Sequence, residues 1–276
     1  VSPKNIFKMK SYFLLCLSGF LLFLGCKKNA PGVQNITDMF TEAKGEVRLI
    51  TLDPGHFHAA LVQKKMYKTV DPVVHVYAPA GRDLQEHLGR IDGYNTRTEN
   101  PTSWVEKVYT GSDYLERMVD EKTGNVVIIS GNNARKTEYI HSAVNAGFNV
   151  LADKPMVITT AGFSLLEDAF RLAAENGVIL YDIMTERYEI TTILQRELSM
   201  IPEIFGGIVE GTPDDPAITK ESVHHFFKYV SGKPLIRPSW FFDVRQQGEG
   251  IADVTTHLVD LIQWESFPDQ VIDGKD

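Results

Sequence analysis

Three short stretches of this 276-residue chain carry residue types that could do chemistry together. The last of them, QGEGIADVTTHLVDLIQW, places Asp253 and His257 four residues apart. On a helix that spacing puts both side chains on one face, with Cβ atoms about 5–6 Å apart, so a carboxylate and an imidazole can grip one substrate. An imidazole with an ordinary pKa of about 6.5 keeps a neutral fraction near neutral pH, so His257 can take a hydroxyl proton while Asp253 orients the hydroxyl or the ring. The second stretch is NVLADKPMVITTAGFSLLEDA, in which Pro155 forces the residue before it into an extended shape and so holds Lys154 at the end of a strand. The first is VRLITLDPGHFHAAL, where Gly55 allows a tight turn whose amides can approach a pyrophosphate at a helix N-terminus. Each has a plainer reading: a solvent-facing i,i+4 pair, a loop lysine, and an Asp-Pro-Gly turn that needs no cofactor.

The elements that must position these groups are legible as a rhythm. Six runs rich in β-branched residues, VRLITL (47–52), VVHVYA (73–78), VEKVYT (105–110), NVVIIS (125–130), NVLA (149–152) and VILYDI (178–183), alternate with stretches of helical periodicity. Those stretches are HAALVQKKMY, SDYLERMVDEK, ARKTEYIHSAVNAG and TAGFSLLEDAFRLAAENG, with Gly147 and Gly177 as stop signals and Ser112 or Asp113 as an N-cap. This predicts an α/β fold over 47–186, a doubly wound parallel sheet whose ligands sit beyond the carboxyl ends of the strands. Beyond Tyr188 a helix, TTILQRELSMI, leads to a sheet expected from Ile208, an acidic loop near 212–216 and a last helix over 251–264. That sheet has no room to finish by Asp276, so residues 187–276 are expected to be the start of a truncated α+β substrate or oligomerisation domain.

Ahead of the fold, Lys4, Lys8 and Lys10 precede an apolar run from Tyr12 to Gly25 that ends at Cys26. A cationic segment, a short apolar core and Gly-Cys read as a bacterial lipoprotein signal over 1–26, with Cys26 lipidated and 27–46 a tether. The chain is then expected to be exported and lipid-anchored to a bacterial membrane. Cys16 and Cys26 are the only cysteines, which leaves the mature chain without an internal disulfide. The net charge of −8 argues against a nucleic-acid partner. His56 and His58 offer two metal ligands with no third one identifiable from spacing, so no metal is expected. The adjacent His224 and His225 point to opposite faces of an extended segment and read as structural. Trp104, Trp240 and Trp264 are candidates for a sugar cleft, although packing is the commoner fate of such residues.

Taken together and in this order, the three stretches resemble the Gfo/Idh/MocA family of nicotinamide-dependent oxidoreductases over roughly residues 47–264. ADKP is similar to the family's Glu-Lys-Pro, with Asp153 in place of Glu. GEGIADVTTH resembles its G-G-G-x-x-x-D-x-x-x-H, SGNNARKTEYIH its Thr-Pro-Asn-x-x-His loop, and YDIMTERYEI its exit into the second domain. The resemblance implies a Rossmann domain binding NAD or NADP through Gly55, His56, Phe57, Asn133, Asp153, Lys154, Pro155 and Arg187. It also implies Lys154, Asp253 and His257 as catalytic residues acting on a carbohydrate, and association through the second domain's sheet. Against G-x-G-x-x-G, Asp53 and His58 replace the first and third glycines, and a carboxylate at the first would face phosphate unless it turns away. The strand ending at Ala78 offers no acid for the adenosine ribose, with Arg82 and Asp83 displaced into the following loop. Three functions stay open: sugar or polyol oxidoreductase, glycosidase that cycles a bound NAD, and sugar-binding lipoprotein with a degenerate cofactor site.

Overall fold

The computed structural model describes residues 40–183, 186–222, 227–230, 232–270 and 272. Cys26, the tether up to residue 39, and His224 and His225 lie outside them. Six strands, β1 (Leu49–Leu52), β2 (Val73–Ala78), β3 (Val105–Thr110), β4 (Val126–Ile129), β5 (Asn149–Ala152) and β6 (Leu180–Asp182), form one sheet. Its order is β3-β2-β1-β4-β5-β6 and every pairing is parallel. The order reverses direction at β1, which opens a crevice between the carboxyl ends of β1 and β4, the place where such sheets hold ligands.

The sheet is buried on both faces because alternate residues serve two cores. Along β4, Val127 and Ile129 pack with Ile50, Leu52 and Val150 under three helices: α3 (Tyr114–Glu121), α4 (Lys136–Asn145) and α5 (Thr160–Asn176). Val126 and Ile128 pack with Leu49, Val74 and Trp104 under α1 (His58–Leu61) and α2 (Arg82–Thr96) on the other side. This is the doubly wound fold that the strand pattern predicts. Gly147 and Gly177 follow α4 and α5 with φ of +85° and +63°, conformations that suit glycine and end the helices. Asp113 sits at the N-cap of α3 with no side-chain capping bond.

Three expectations need correction. The helix expected over 58–67 closes after one turn, because the chain must swing back to bridge Val47 with Val70, and the Arg97 guanidinium takes the Lys64 carbonyl at 2.6 Å. Residues 82–96, read as loop at their start, form the fifteen-residue helix α2. No strand forms near Ile208 among the described residues, whose side chains from Ile204 to Val209 are exposed, and a strand without a hydrogen-bonded neighbour has no ladder to hold it. The smaller C-terminal part instead holds α6 (Ile190–Ser199), α7 (Pro202–Phe205), a two-stranded hairpin of β7 (Tyr229–Val230) and β8 (Lys233–Pro234), α8 (Val244–Gln247), and α9 (Thr256–Ser266). A π turn, Ile251–Thr255, leads into α9. No described helix is long and apolar enough to cross a membrane.

Candidate active site

β5 runs one residue past its end, since the Asp153 amide still donates to the Ile129 carbonyl at 3.0 Å. That extension delivers Lys154 to the carboxyl edge of the sheet, where a cis peptide joins it to Pro155. Asp253 comes from the π turn and His257 from the first turn of α9, so the helix widens where both arise, a feature frequent at functional sites. The Lys154 ammonium donates to the Asp253 carboxylate at 3.2 Å and to the Asp253 backbone carbonyl. Gln247, at the end of α8, donates to the same carboxylate oxygen at 3.0 Å. Lys154, Asp253 and His257 thus share the wall of one cavity of about 350 Å³, together with His56, Phe57, Lys228 and Arg237. The His257 imidazole stands 3.9 Å from the Glu186 carboxylate. Burial and the Lys154 charge hold its pKa below the ordinary histidine value, so the ring is neutral near neutral pH.

Beneath the cavity floor lies a second cluster that spacing alone could not show. Asp153 is 3% exposed and pairs with the fully buried Lys136 ammonium. Its other oxygen accepts from Ser130 Oγ at 2.7 Å and from His58 Nδ1 at 3.1 Å, with His56 Nδ1 at 3.6 Å. Burial alone would push this carboxyl up, yet the Lys136 charge and the imidazole bonds outweigh it and keep Asp153 ionised. Both histidines are driven the other way by burial and stay neutral. Arg237 Nη1 can only donate, so at 2.9 Å it makes His56 Nε2 an acceptor. His56, His58 and Asp153 have ligand atoms within 4.8 Å of one another, the third metal ligand that the sequence lacked. The carboxylate is nevertheless neutralised by Lys136, and Arg237 and Lys154 add further positive charge, an environment that opposes a cation.

The crevice over β1 and β4 keeps a close backbone approach of the two loops that flank it. Gly131, after β4, approaches the Gly55 turn so closely that a Cβ on it would lie 2.9 Å from the Gly55 nitrogen, a backbone approach that only glycine permits. Asp53, at the first glycine position, takes φ of +44° and turns its carboxylate away, to the Tyr139 hydroxyl at 2.8 Å. Burial raises its pKa against the Tyr139 hydrogen bond, and the carboxylate that phosphate would have met is averted. Asp83 is not stranded in a loop. It opens α2 and reaches the turn, accepting from Trp240 Nε1 at 2.7 Å, and both side chains lie 3.0 Å from where a Gly55 Cβ would stand. An acid therefore does reach the crevice from the carboxyl end of β2. The Gly55 and His56 amides, expected to meet a pyrophosphate, instead donate to the Ser130 carbonyl at 3.2 and 3.1 Å, which corrects that expectation.

The remaining expected residues are placed as follows. Asn133 is buried and tied to the C-terminal part through Gln246 and Gln247 carbonyls, while its own Oδ1 is buried without a partner among the described residues, a free acceptor beside the crevice. Pro155 is buried behind Lys154. Arg187 grips Asp260 on α9 through two donors, one at 3.0 Å, which fixes that helix to the end of the Rossmann domain. Trp104 packs in the core with its indole on the Gln63 carbonyl, and Trp264 lies under Arg196. Asp83, Lys136, Lys228 and Arg237 were not singled out as site residues by sequence, whereas Trp240, one of the three candidate tryptophans, does stand at the Gly55 turn. Lys136 alone left a local signal, since a lysine in the first turn of a helix opposes the helix dipole and needs another reason to be there.

Residues 55–182 match the family model described as "Oxidoreductase family, NAD-binding Rossmann fold", and residues 194–276 match "Putative oxidoreductase C terminal domain". No curated protein matches the chain. Among solved structures, a "putative oxidoreductase" from Parabacteroides merdae is 64% identical with a TM-score of 0.82, the match covering 86% of this chain and 54% of that one. This chain therefore spans about half the length of that relative. GenD2 from gentamicin A biosynthesis, in complex with NAD, is 19% identical with a TM-score of 0.53 over 79% of this chain and 53% of its own. A "putative oxidoreductase" from Thermotoga maritima is 14% identical with a TM-score of 0.54 over 80% and 58%. At those identities the last two share the fold.

Proposed function

We propose that this chain, whose residues 55–182 match the NAD-binding Rossmann model of the oxidoreductase family, is a Gfo/Idh/MocA-type oxidoreductase that transfers hydride between a sugar or polyol and that cofactor. The observation that carries the reading is the meeting of Lys154, Asp253 and His257, from two parts of the chain, on the wall of one cavity. The nicotinamide, when bound, supplies the hydride acceptor or donor. Lys154 donates to a substrate oxygen and stabilises negative charge on it as the carbon–hydrogen bond breaks. Asp253, held by Lys154 and Gln247, orients the reacting hydroxyl. His257, neutral for the reasons given, takes the hydroxyl proton, and Glu186 steadies the imidazolium that results.

The test is made on purified full-length protein: mass spectrometry of released ligand, then turnover of Lys154→Ala and His257→Ala. Retained NAD(H), with turnover lost in both variants and melting unchanged, is the expected result. No retained or bindable dinucleotide points to a sugar-binding protein, and near-normal turnover in either variant removes that residue's role. Export and anchoring at Cys26 belong to the same proposal, supported by the lysine-flanked apolar run ending at Gly25-Cys26. Fatty-acid labelling that is lost in Cys26→Ala is the expected outcome, and labelling that persists refutes it.

A further inference from the structure

The cavity is electrically lopsided. Around His257 stand Glu186 and, within electrostatic reach, Asp182 and Asp260. On the Phe57 side the charges are positive: the Lys228 ammonium lies 5.2 Å from the Phe57 ring centre and the Arg237 guanidinium 5.9 Å from it. Arg237 also covers Phe241 at 4.1 Å and spends Nη1 on His56, leaving its other donors without a partner among the described residues. Neither cation forms an ion pair among the described residues. The one carboxylate whose charge reaches both of them, Asp253, is already engaged by Lys154. Half-buried cations without a paired counter-ion of their own are costly: burial and the Arg237 charge lower the pKa of Lys228 and burial lowers that of Arg237, each only partly offset by Asp253. A chain that keeps such a pair at a cavity wall has a use for an anion there.

We propose that Lys228 and Arg237 recognise a carboxylate on the substrate, so that the sugar handled at this site is an acidic one of the hexuronate class. The planar fork of Arg237 matches a carboxylate edge, and Lys228 adds a point charge. A cavity of about 350 Å³ is of the size that takes a monosaccharide, with its carboxylate at the Phe57 side and a reacting hydroxyl at Lys154, Asp253 and His257. The inference rests on the sugar-oxidoreductase reading and names the substrate class for the same cavity.

The test is calorimetric and needs no turnover. The full chain is titrated at neutral pH with glucuronate and galacturonate, with glucose and galactose as their uncharged counterparts, and with NAD. The same titrations are made on Lys228→Gln and Arg237→Gln. At least one hexuronate is expected to bind about tenfold or more tightly than its parent hexose, as a charge-assisted contact implies. Each variant is expected to erase that preference with NAD affinity unchanged. Equal affinity for acid and parent sugar overturns the proposal. Loss of NAD affinity with the hexuronate preference intact also overturns it, because the cations would then serve the dinucleotide phosphates. Failure of the underlying oxidoreductase reading registers elsewhere, as absence of bound or bindable dinucleotide, while hexuronate preference is still read by heat.

Discussion

Lys136→Met probes the buried cluster beneath the site. The side chains of Lys136 and Asp153 are 1% and 4% exposed, so water screens neither and their pairing needs no discount for solvent. Removing one partner of such a pair leaves a buried charge uncompensated, at a cost of about 3–5 kcal/mol. Here the loss has a ceiling, because His58 and His56 face the same carboxylate and can take up a proton in place of the ammonium. In the variant their pKa rises, since Lys136 is one of the charges that lowers it. A histidine raised above its unfolded value of about 6.5 contributes stability that is fully present below that value and lost as pH rises through the folded pKa. Charging a ring at about pH 8 costs about 2 kcal/mol, so the deficit against the native chain should be about 3–4 kcal/mol there and about 2 kcal/mol smaller near pH 5.5. Urea unfolding at both pH values measures it. Lys136→Met combined with Asp153→Leu, which removes both charges, should recover most of the loss. A deficit under about 1 kcal/mol at the higher pH, or the same deficit at both, would falsify the assignment of Lys136 as the counter-ion of Asp153.

Two further predictions concern titrating groups. The His257 ring, followed by NMR, should titrate below about 6.5, and Lys154→Gln should move the midpoint upward by removing one of its causes; an unmoved midpoint separates the two residues. Glu106 on β3 is buried beside His87 and Gln63, and burial pushes its pKa up to about 7. The raised value favours the fold below the unfolded pKa and is lost as pH climbs through about 7, so Glu106→Gln should stabilise the protein near pH 8 by up to about 3 kcal/mol and leave it unchanged near pH 4.5. Chemical unfolding across that window checks the sign, and a gain that grows toward acid refutes it.

The sheet was readable because its central strands β1, β4 and β5 are buried on both faces, which demands continuous apolar runs. The largely exposed edge strand β3 keeps a β-branched and aromatic composition. Three of the strands, 73–78, 105–110 and 149–152, coincide with the expectation end to end. α2 was missed although its buried residues Leu84, His87, Ile91 and Tyr94 fall at helical spacing. Its inward face includes a histidine whose pKa burial drops to about 3, and Gly89 and Gly93 weaken the helical signal. Lys154, Asp253 and His257 were legible because each sits in a local pattern with its own geometry. Lys228 and Arg237 were not, since nothing adjacent in sequence announces that a hairpin strand start and the loop after it will close over Phe57.

The departures from the glycine-rich turn are coupled rather than scattered. A side chain at position 58 must be buried where a glycine would leave no polar group, and an imidazole there needs a partner. Asp153 supplies it at 3.1 Å. A second buried carboxylate partner then becomes necessary, and Lys136 meets that need from the first turn of α4, at a position that its own helix dipole disfavours. Asp53 likewise keeps the left-handed backbone of the glycine it replaces and hands its carboxylate to Tyr139, which Arg135 and Tyr114 steady in turn. Random loss of a cofactor site would leave unpaired groups at these positions. Here each replaced glycine has gained a specific partner from a different helix or strand, so the turn keeps one fixed shape.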